Sequence, residues 1–183
     1  MAKTKQKSKS KSKSAMSTPT ETPEQLYAHA ITQLETSDPE AALTTAQKLL
    51  SILPPANPSL ALPALNLLGE INVERGQPQE ARTYFLQAVQ IDPQGSVPEA
   101  LGGGAEKFLW LAQLCEEGGA ESVSWFEKGV RALKTEIEGL EAQDERRASD
   151  DERLAREQGL EEKRAKLAEA LCGVVEVYMT DLS

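Results

Sequence analysis

Between Leu62 and Pro93 apolar and small residues recur at helical intervals in two runs: Leu65, Leu68 and Gly69, then Ala81, Phe85 and Ala88. This period predicts two α-helices. Gly76-Gln77-Pro78 supplies the turn between them, and Pro93 ends the second helix because it has no N–H to continue the ladder. Gly69, Ala81 and Ala88 let the two antiparallel helices approach, while Leu65, Leu68 and Phe85 fill the space between them. The pattern recurs along the chain. Pro39-Glu40-Ala41-Ala42 precedes Pro78-Gln79-Glu80-Ala81 by the same interval that separates Pro54 from Pro93. A first unit therefore spans about 23–54, opened by Thr22-Pro23, turned by Asp38-Pro39, and packed through Leu26, Leu34, Leu43, Leu49 and Ile52.

A third unit, about 105–140, follows the glycines Gly102-Gly103-Gly104, which read as a hinge between repeats. In it Phe108, Leu111, Ala112 and Cys115 fall at the spacing of Leu65, Leu68, Gly69 and Asn72, and Gly118-Gly119 makes the turn. Its second helix continues through Leu133, Ile137 and Leu140 on one face. Ser149-Asp150-Asp151-Glu152 reads as a capping box that starts another helix after a break near Ala148. That helix carries Leu171, Val174, Val175 and Tyr178 and fits the first half of a fourth unit, about 150–183. A half repeat is expected to leave Val174, Val175 and Tyr178 uncovered, and the chain reads as the N-terminal part of a longer array or as a naturally short form.

The unit at 62–93 resembles a tetratricopeptide repeat. The family pattern W-x2-L-G-x2-Y, then A-x3-F, then a closing proline is filled here by Leu65, Leu68, Gly69 and Asn72, then Ala81, Phe85, Ala88 and Pro93. The resemblance implies an all-α fold, a tetratricopeptide-repeat solenoid of about three full helix pairs plus a partial fourth, wound as a right-handed superhelix. Residues 1–20 are expected to form a disordered Lys/Ser-rich tail ahead of a repeat domain at 21–183.

Composition bounds what such a domain does. The 183 residues and 39% hydrophobic content suit one helical domain with a continuous core between stacked repeats. No apolar stretch approaches the roughly 20 residues needed to cross a bilayer, and no apolar signal core stands at the N-terminus, so no membrane partner is expected. Cys115 and Cys172 are single and far apart, which fits a reducing compartment. Lys3, Lys5, Lys7, Lys9, Lys11 and Lys13 give residues 1–18 a charge of +6 within a total of −9, leaving −15 on the rest. The tail is either a nuclear-localisation or nucleic-acid tether or simply a solvated segment.

No catalytic set is visible, and no enzyme, cofactor or metal is expected. The one histidine, His29, is placed on the inner face of a repeat helix as a packing residue. One His and two Cys fall short of zinc's usual four ligands. Gly102-Gly103-Gly104-Ala105-Glu106-Lys107 lacks the phosphate-loop spacing and follows no strand. The informative set is the concave surface lined by the first helix of each pair. Aligning the units places Glu24, Tyr27, Ile31, Leu34 and Glu35 there from the first, and Asn66, Glu70, Val73 and Glu74 from the second. The third contributes Glu106, Leu109, Gln113, Glu116 and Glu117, and the partial fourth Glu169, Glu176 and Met179. Every charged position in this set is acidic, and carboxylates focused in a groove attract Lys and Arg segments. The plain alternative is that these glutamates only solubilise exposed helix faces. Residues 19–133 hold 15 acids against 6 basic residues, where a solvating face mixes signs more evenly. Lys134–Ala170, with 12 acids and 8 basic residues, reads as an exposed, salt-bridge-laced helical pair.

A second resemblance rests on Gly104-Ala105-Glu106-Lys107-Phe108-Leu109-Trp110-Leu111-Ala112-Gln113-Leu114. Glu116-Glu117-Gly118-Gly119, Trp125-Phe126-Glu127-Lys128-Gly129 and Val177-Tyr178-Met179-Thr180-Asp181-Leu182 add to it. These resemble the fungal dedicated assembly chaperones of ribosomal protein four of the large subunit. The resemblance implies a cytoplasmic and nuclear chaperone that holds the new, basic ribosomal protein by its internal loop. It also implies a nuclear import receptor reached through the client, and no direct nucleic-acid binding by the domain. In that mechanism groove carboxylates replace the missing rRNA phosphates, and Tyr27, Leu34, Val73, Leu109 and Met179 offer apolar pockets. A generic repeat scaffold and a chaperone of another basic client, such as histones, stay open on charge and periodicity alone. The clamp that repeat proteins use for acidic chaperone tails is disfavoured, because the groove positions lack its basic residues and only Asn66 resembles it.

Overall fold

Most of the helices start where the sequence offers a side-chain cap or a proline. The structure is a computed structural model that describes residues 21–116, 118–142 and 149–181. Among them are seven α-helices and no strand: α1 (Pro23–Glu35), α2 (Pro39–Ile52), α3 (Leu62–Glu74), α4 (Pro78–Ile91), α5 (Glu106–Gln113), α6 (Gly119–Glu141) and α7 (Asp150–Thr180). Thr22 caps α1, its hydroxyl accepting from the Gln25 N–H at 3.3 Å while the Gln25 side chain accepts from the Thr22 N–H at 2.9 Å. Ser149 and Glu152 form the same reciprocal box at the start of α7, satisfying donors that the first turn otherwise leaves orphaned. Asp38 caps α2 by accepting from the Ala41 N–H at 3.1 Å. The Lys/Ser tail and Glu117 lie outside the described residues.

Consecutive helices pack on one another, α1 on α2, α2 on α3 and onward to α7 on α6, with a further contact between the first helices α1 and α3. Small residues set the spacing. A Cβ on Gly69 of α3 would meet the Phe85 ring of α4, with its Cε1 at 2.6 Å. Gly173 of α7 lies in the same way under the Phe126 ring of α6, with its Cε1 at 2.9 Å. Phe85, Ala81 and Leu111 are fully buried together, and the Trp110 ring stacks on Phe85 at 5.9 Å, so the second and third pairs share one core. Ordered aromatic stacking of this kind adds to the area it buries.

The loop between α4 and α5 contains a buried ion pair. Lys107 Nζ lies 2.8 Å from Asp92 Oδ2, and both side chains are almost wholly shielded from solvent. Lys107 also donates to the Gly104 carbonyl at 2.7 Å, and Asp92 Oδ1 accepts from the Ser96 N–H at 2.8 Å and the Val97 N–H at 3.3 Å. Burial pushes the Asp92 carboxyl up, but the Lys107 ammonium and these N–H donors outweigh it and hold the group below the usual carboxylate range. The Gly102-Gly103-Gly104 run is a packed turn, which corrects the expectation of a hinge. Gly103 and Gly104 are buried, Gly103 lies against the Val97 carbonyl, and Gly102 takes φ 78° beside Leu62 and Pro63. His29, expected as an inner packing residue, is instead half exposed and sits 3.7 Å from Glu21.

Two further expectations change in α7. Val174 packs beside Ala112, Phe126 and Ala170 instead of standing uncovered, whereas Leu171, Val175 and Tyr178 are about half exposed. The helix starts so far ahead of its repeat-like part that its first half crosses the third pair. Leu160, Lys163, Leu167, Ala170, Val174 and Val177 alternate at steps of three and four, and this stripe faces α5 and α6.

Removing the buried cation tests the loop. Lys107→Met leaves Asp92 charged and unpaired in the core, and should lower stability by about 3–5 kcal/mol in a urea titration. A comparable loss is expected from Asp92→Ala, which strands Lys107 and the Ser96 and Val97 donors.

Candidate basic-ligand surface

Residues that α1, α3 and α5 turn the same way meet in two open cavities. The smaller, about 490 Å³, is lined by Leu34 and Glu35 of α1, Glu70, Val73 and Glu74 of α3, and Glu106 and Trp110 of α5. The larger, about 720 Å³, adjoins it through Glu70 and Glu106 and extends over Glu24, Tyr27, Asn66, the Glu99–Gly103 turn and Lys166. Among the described residues, Glu24, Glu35, Glu70 and Glu74 have no ion-pair partner.

Nine of the expected groove residues fall into this pair of cavities: Glu24, Tyr27, Leu34, Glu35, Asn66, Glu70, Val73, Glu74 and Glu106. Asn66 is committed in part, its Nδ2 donating to the Gly102 carbonyl at 2.8 Å. Ile31 packs into the core formed by α1, α2 and α3. Leu109 turns toward α6, filling the space that Gly129 leaves by having no Cβ. It is core packing, and not a groove pocket. Gln113 is exposed at the end of α5, and Glu116 lines a separate shallow cavity with Arg82, Cys115 and Glu121. Glu169 is exposed on α7, and Glu176 and Met179 lie with Leu171, Cys172 and Val175 on another face of that helix. The structure therefore does not join the contributions of Gln113, Glu116, Glu169, Glu176 and Met179 to the acidic cavities.

Four participants escaped the sequence reading: Trp110, Glu99, Lys163 and Lys166. Lys166 adds a cation to a surface whose expected charged positions are all acidic, and the partial burial of both lysines corrects the expectation that Lys134–Ala170 is an exposed pair. Lys166 Nζ lies 3.5 Å from Glu99, 3.3 Å from Glu106 and 3.2 Å from Glu162. Lys163 bridges Glu99 at 2.6 Å and Glu136 of α6. Burial works against both ammonium groups, but the surrounding carboxylates outweigh it and raise both above the ordinary lysine range. Lys163 was in principle legible, because it interrupts an apolar stripe between Leu160 and Leu167.

Glu70 stands where the two cavities meet. Burial pushes its carboxyl up to about 7, Glu106 adds to the shift, and Lys166 opposes it. The Tyr27 hydroxyl is raised in turn, by burial first and by Glu70 second.

Comparison with known proteins places this geometry in context. The tetratricopeptide repeat family profile matches residues 63–94, and the fold is an all-α tetratricopeptide-repeat solenoid. A protein of Emericella nidulans described as a probable assembly chaperone of rpl4 is 54% identical over 114 residues, which are 62% of this chain and 30% of that protein. A protein of Schizosaccharomyces pombe with the same description is 30% identical over 120 residues, 65% of this chain and 29% of that one. The solved structure of residues 1–338 of the assembly chaperone of RpL4 superposes with a TM-score of 0.79 at 47% identity, covering 88% of this chain and 56% of that one. The resemblance read from the GAEKFLWLAQL segment is thus matched by curated relatives and by a solved fold. The matched segments span about 30% of the curated relatives' length.

Glu70 gives the site a pH signature. Its folded pKa lies above the value near 4.5 of an unfolded glutamate, so its contribution to stability is full below pH 4.5 and is lost as pH rises through 7. Glu70→Gln removes that loss, and urea titrations should show the variant gaining about 2 kcal/mol on the wild-type chain between pH 5 and pH 8.

Proposed function

We propose that this chain is the ligand-binding part of an assembly chaperone for a basic large-subunit ribosomal protein, the protein named rpl4 in its relatives. The observation that carries the reading is the convergence of Glu35, Glu70, Glu74 and Glu106 with Leu34, Val73 and Trp110 around one open cavity. Glu35, Glu70 and Glu74 have no ion-pair partner among the described residues, and carboxylates so placed in a concave surface attract a segment rich in Lys and Arg and shorten its search for the right pose. The apolar members then hold the hydrocarbon stems of those side chains, which pack on apolar surface while their charged heads reach the acids.

Trp110 Nε1 and Asn66 Oδ1, on residues that line these cavities, are buried without a hydrogen-bond partner among the described residues. An unassembled rRNA-binding segment exposes its Lys and Arg side chains, and in this reading the glutamates stand in for the phosphates until assembly supplies them. Release then follows from rRNA competing for the same basic side chains. The choice of a ribosomal protein over another basic client rests on the comparisons, while the geometry supports the charge and shape of the partner. Capture in the cytoplasm and delivery to the nucleus, with an import receptor reading the client, belong to the same proposal.

The reading is tested by capture of the basic ribosomal protein, with and without its internal loop, at low and high salt. Capture is expected to need the loop and to fall steeply as ionic strength shortens the reach of the charges. Reversal of Glu35, Glu70 and Glu74 to Lys should weaken binding by about a hundredfold, since each adds repulsion where there was attraction. Reversal of Glu80 and Glu127, exposed on the second helices α4 and α6, should change it little. Equal losses from both sets would point to net charge alone and end the assignment of the site to the inner surface.

A further inference from the structure

Lys163 and Lys166 belong to a helix some sixty positions further along the chain than Glu99 and Glu106, two of the carboxylates they meet. Lys166 lines the larger cavity together with Glu70, Glu99 and Glu106, and its ammonium group is bonded to three acids from three elements: the turn before α5, α5 itself and α7. Lys163, with a side chain only 14% exposed, ties Glu99 to Glu136 behind it. The acidic surface is therefore divided. At the Leu34–Trp110 end, Glu35, Glu70 and Glu74 have no cation within ion-pair distance among the described residues, with Lys166 acting on Glu70 only from further off, while at the Glu99 end the chain supplies its own.

Resting on the function proposed above, we propose that Lys166 is a built-in competitor for the client's cations, fixing where they sit and limiting how tightly they are held. A basic side chain arriving at Glu106 or Glu99 meets carboxylates already paired with Lys166 and has to displace it. One arriving at Glu35, Glu70 and Glu74 meets no such rival. Lys166 is a specificity residue of the surface, and the client's register follows from the boundary it draws. Lys163 is the anchor of the device. It sits on the stripe of α7 that packs against α5 and α6, between Leu160 and Leu167, and so holds Lys166, one turn on, at the cavity edge.

Geometry separates this role from a merely structural bridge. Arg164, the neighbour of Lys163, pairs with Glu141 on the exposed side of the same helices at 2.6 Å, and neither side chain lines the two acidic cavities. It carries the same charge at the same distance along the chain and serves as the control. A surface that responded only to net charge would treat the two alike.

The test is binding of a fluorescein-labelled peptide of alternating arginine and glycine to the full chain, read by anisotropy at low salt. Lys166→Gln is expected to tighten binding about tenfold, since it frees Glu106 for the peptide and leaves Glu99 with Lys163 alone. Arg164→Gln should change it less than twofold, and Lys166→Arg should restore the wild-type value. If the wild-type chain binds and Lys166→Gln is equal or weaker, the competitor is overturned and the binding function stands. If Lys166→Gln binds where the wild type does not, the inference is supported in its strongest form. If neither binds, both readings fall. Should circular dichroism show Lys166→Gln unfolded, lysine labelling of the wild-type chain decides. Labelling of Lys166 should rise when the peptide is added, and an unchanged level would overturn the displacement.

Discussion

The Asp92–Lys107 pair is the constraint on which the inner surface depends, because it closes the loop that separates the second and third helix pairs. Charges taken out of water cost several kcal/mol each, and a well-packed apolar pair of the same volume often does as well. What an ion pair does better is choose. Only one arrangement of the loop from Asp92 to Lys107 gives the carboxylate its two N–H donors and the ammonium group both Asp92 and the Gly104 carbonyl. With the loop so fixed, Gly102 presents its carbonyl to Asn66 on α3, and Glu99 is held out toward α7. The acidic cavities are built on these positions.

The repeats were legible because their signals are local. A proline at a first helical position, a Thr or Ser cap with Gln or Glu three residues on, and glycine opposite phenylalanine each act within one pair. Gly69 under Phe85 needs no knowledge of the rest of the chain. The inner surface was legible where the register of that pattern carried through, from Glu24 to Glu106, because equivalent positions of equivalent helices face the same way.

Reading failed where contacts are non-local. Leu109 stands at a groove-like register, yet Gly129 of α6 opens a space beside it, and a leucine goes to apolar space before it goes to water. Gly102-Gly103-Gly104 looks like a flexible link until Val97, Pro63 and Glu136 are placed around it. The α7 lysines were the largest omission. Charge counts over Lys134–Ala170 give a balanced segment, and balance hides direction: Arg164 faces solvent and Glu141, while Lys163 and Lys166, one position before it and two after, face the carboxylates of other elements. The informative signal was a lysine on an apolar stripe.

Those lysines also answer a difficulty that any acidic groove has. Carboxylates brought close together in a partly buried surface repel one another, and the cheapest relief is for some of them to take up a proton. Glu70 shows this, since burial and Glu106 raise it to about 7, so near neutral pH part of its charge is absent. A groove made only of glutamates would lose part of its field in this way. Lys166 pulls in the opposite sense on Glu70, and the hydrogen bond from Lys163, with the charges of both lysines, holds Glu99 below its ordinary range against the effect of burial. The internal cations thus give up some attraction for a client while keeping the remaining carboxylates ionised. A partner that brings its own Lys and Arg offers the same relief to Glu70, and with Glu35 and Glu74 beside it and no cation in ion-pair reach, that end of the surface is the receptive one.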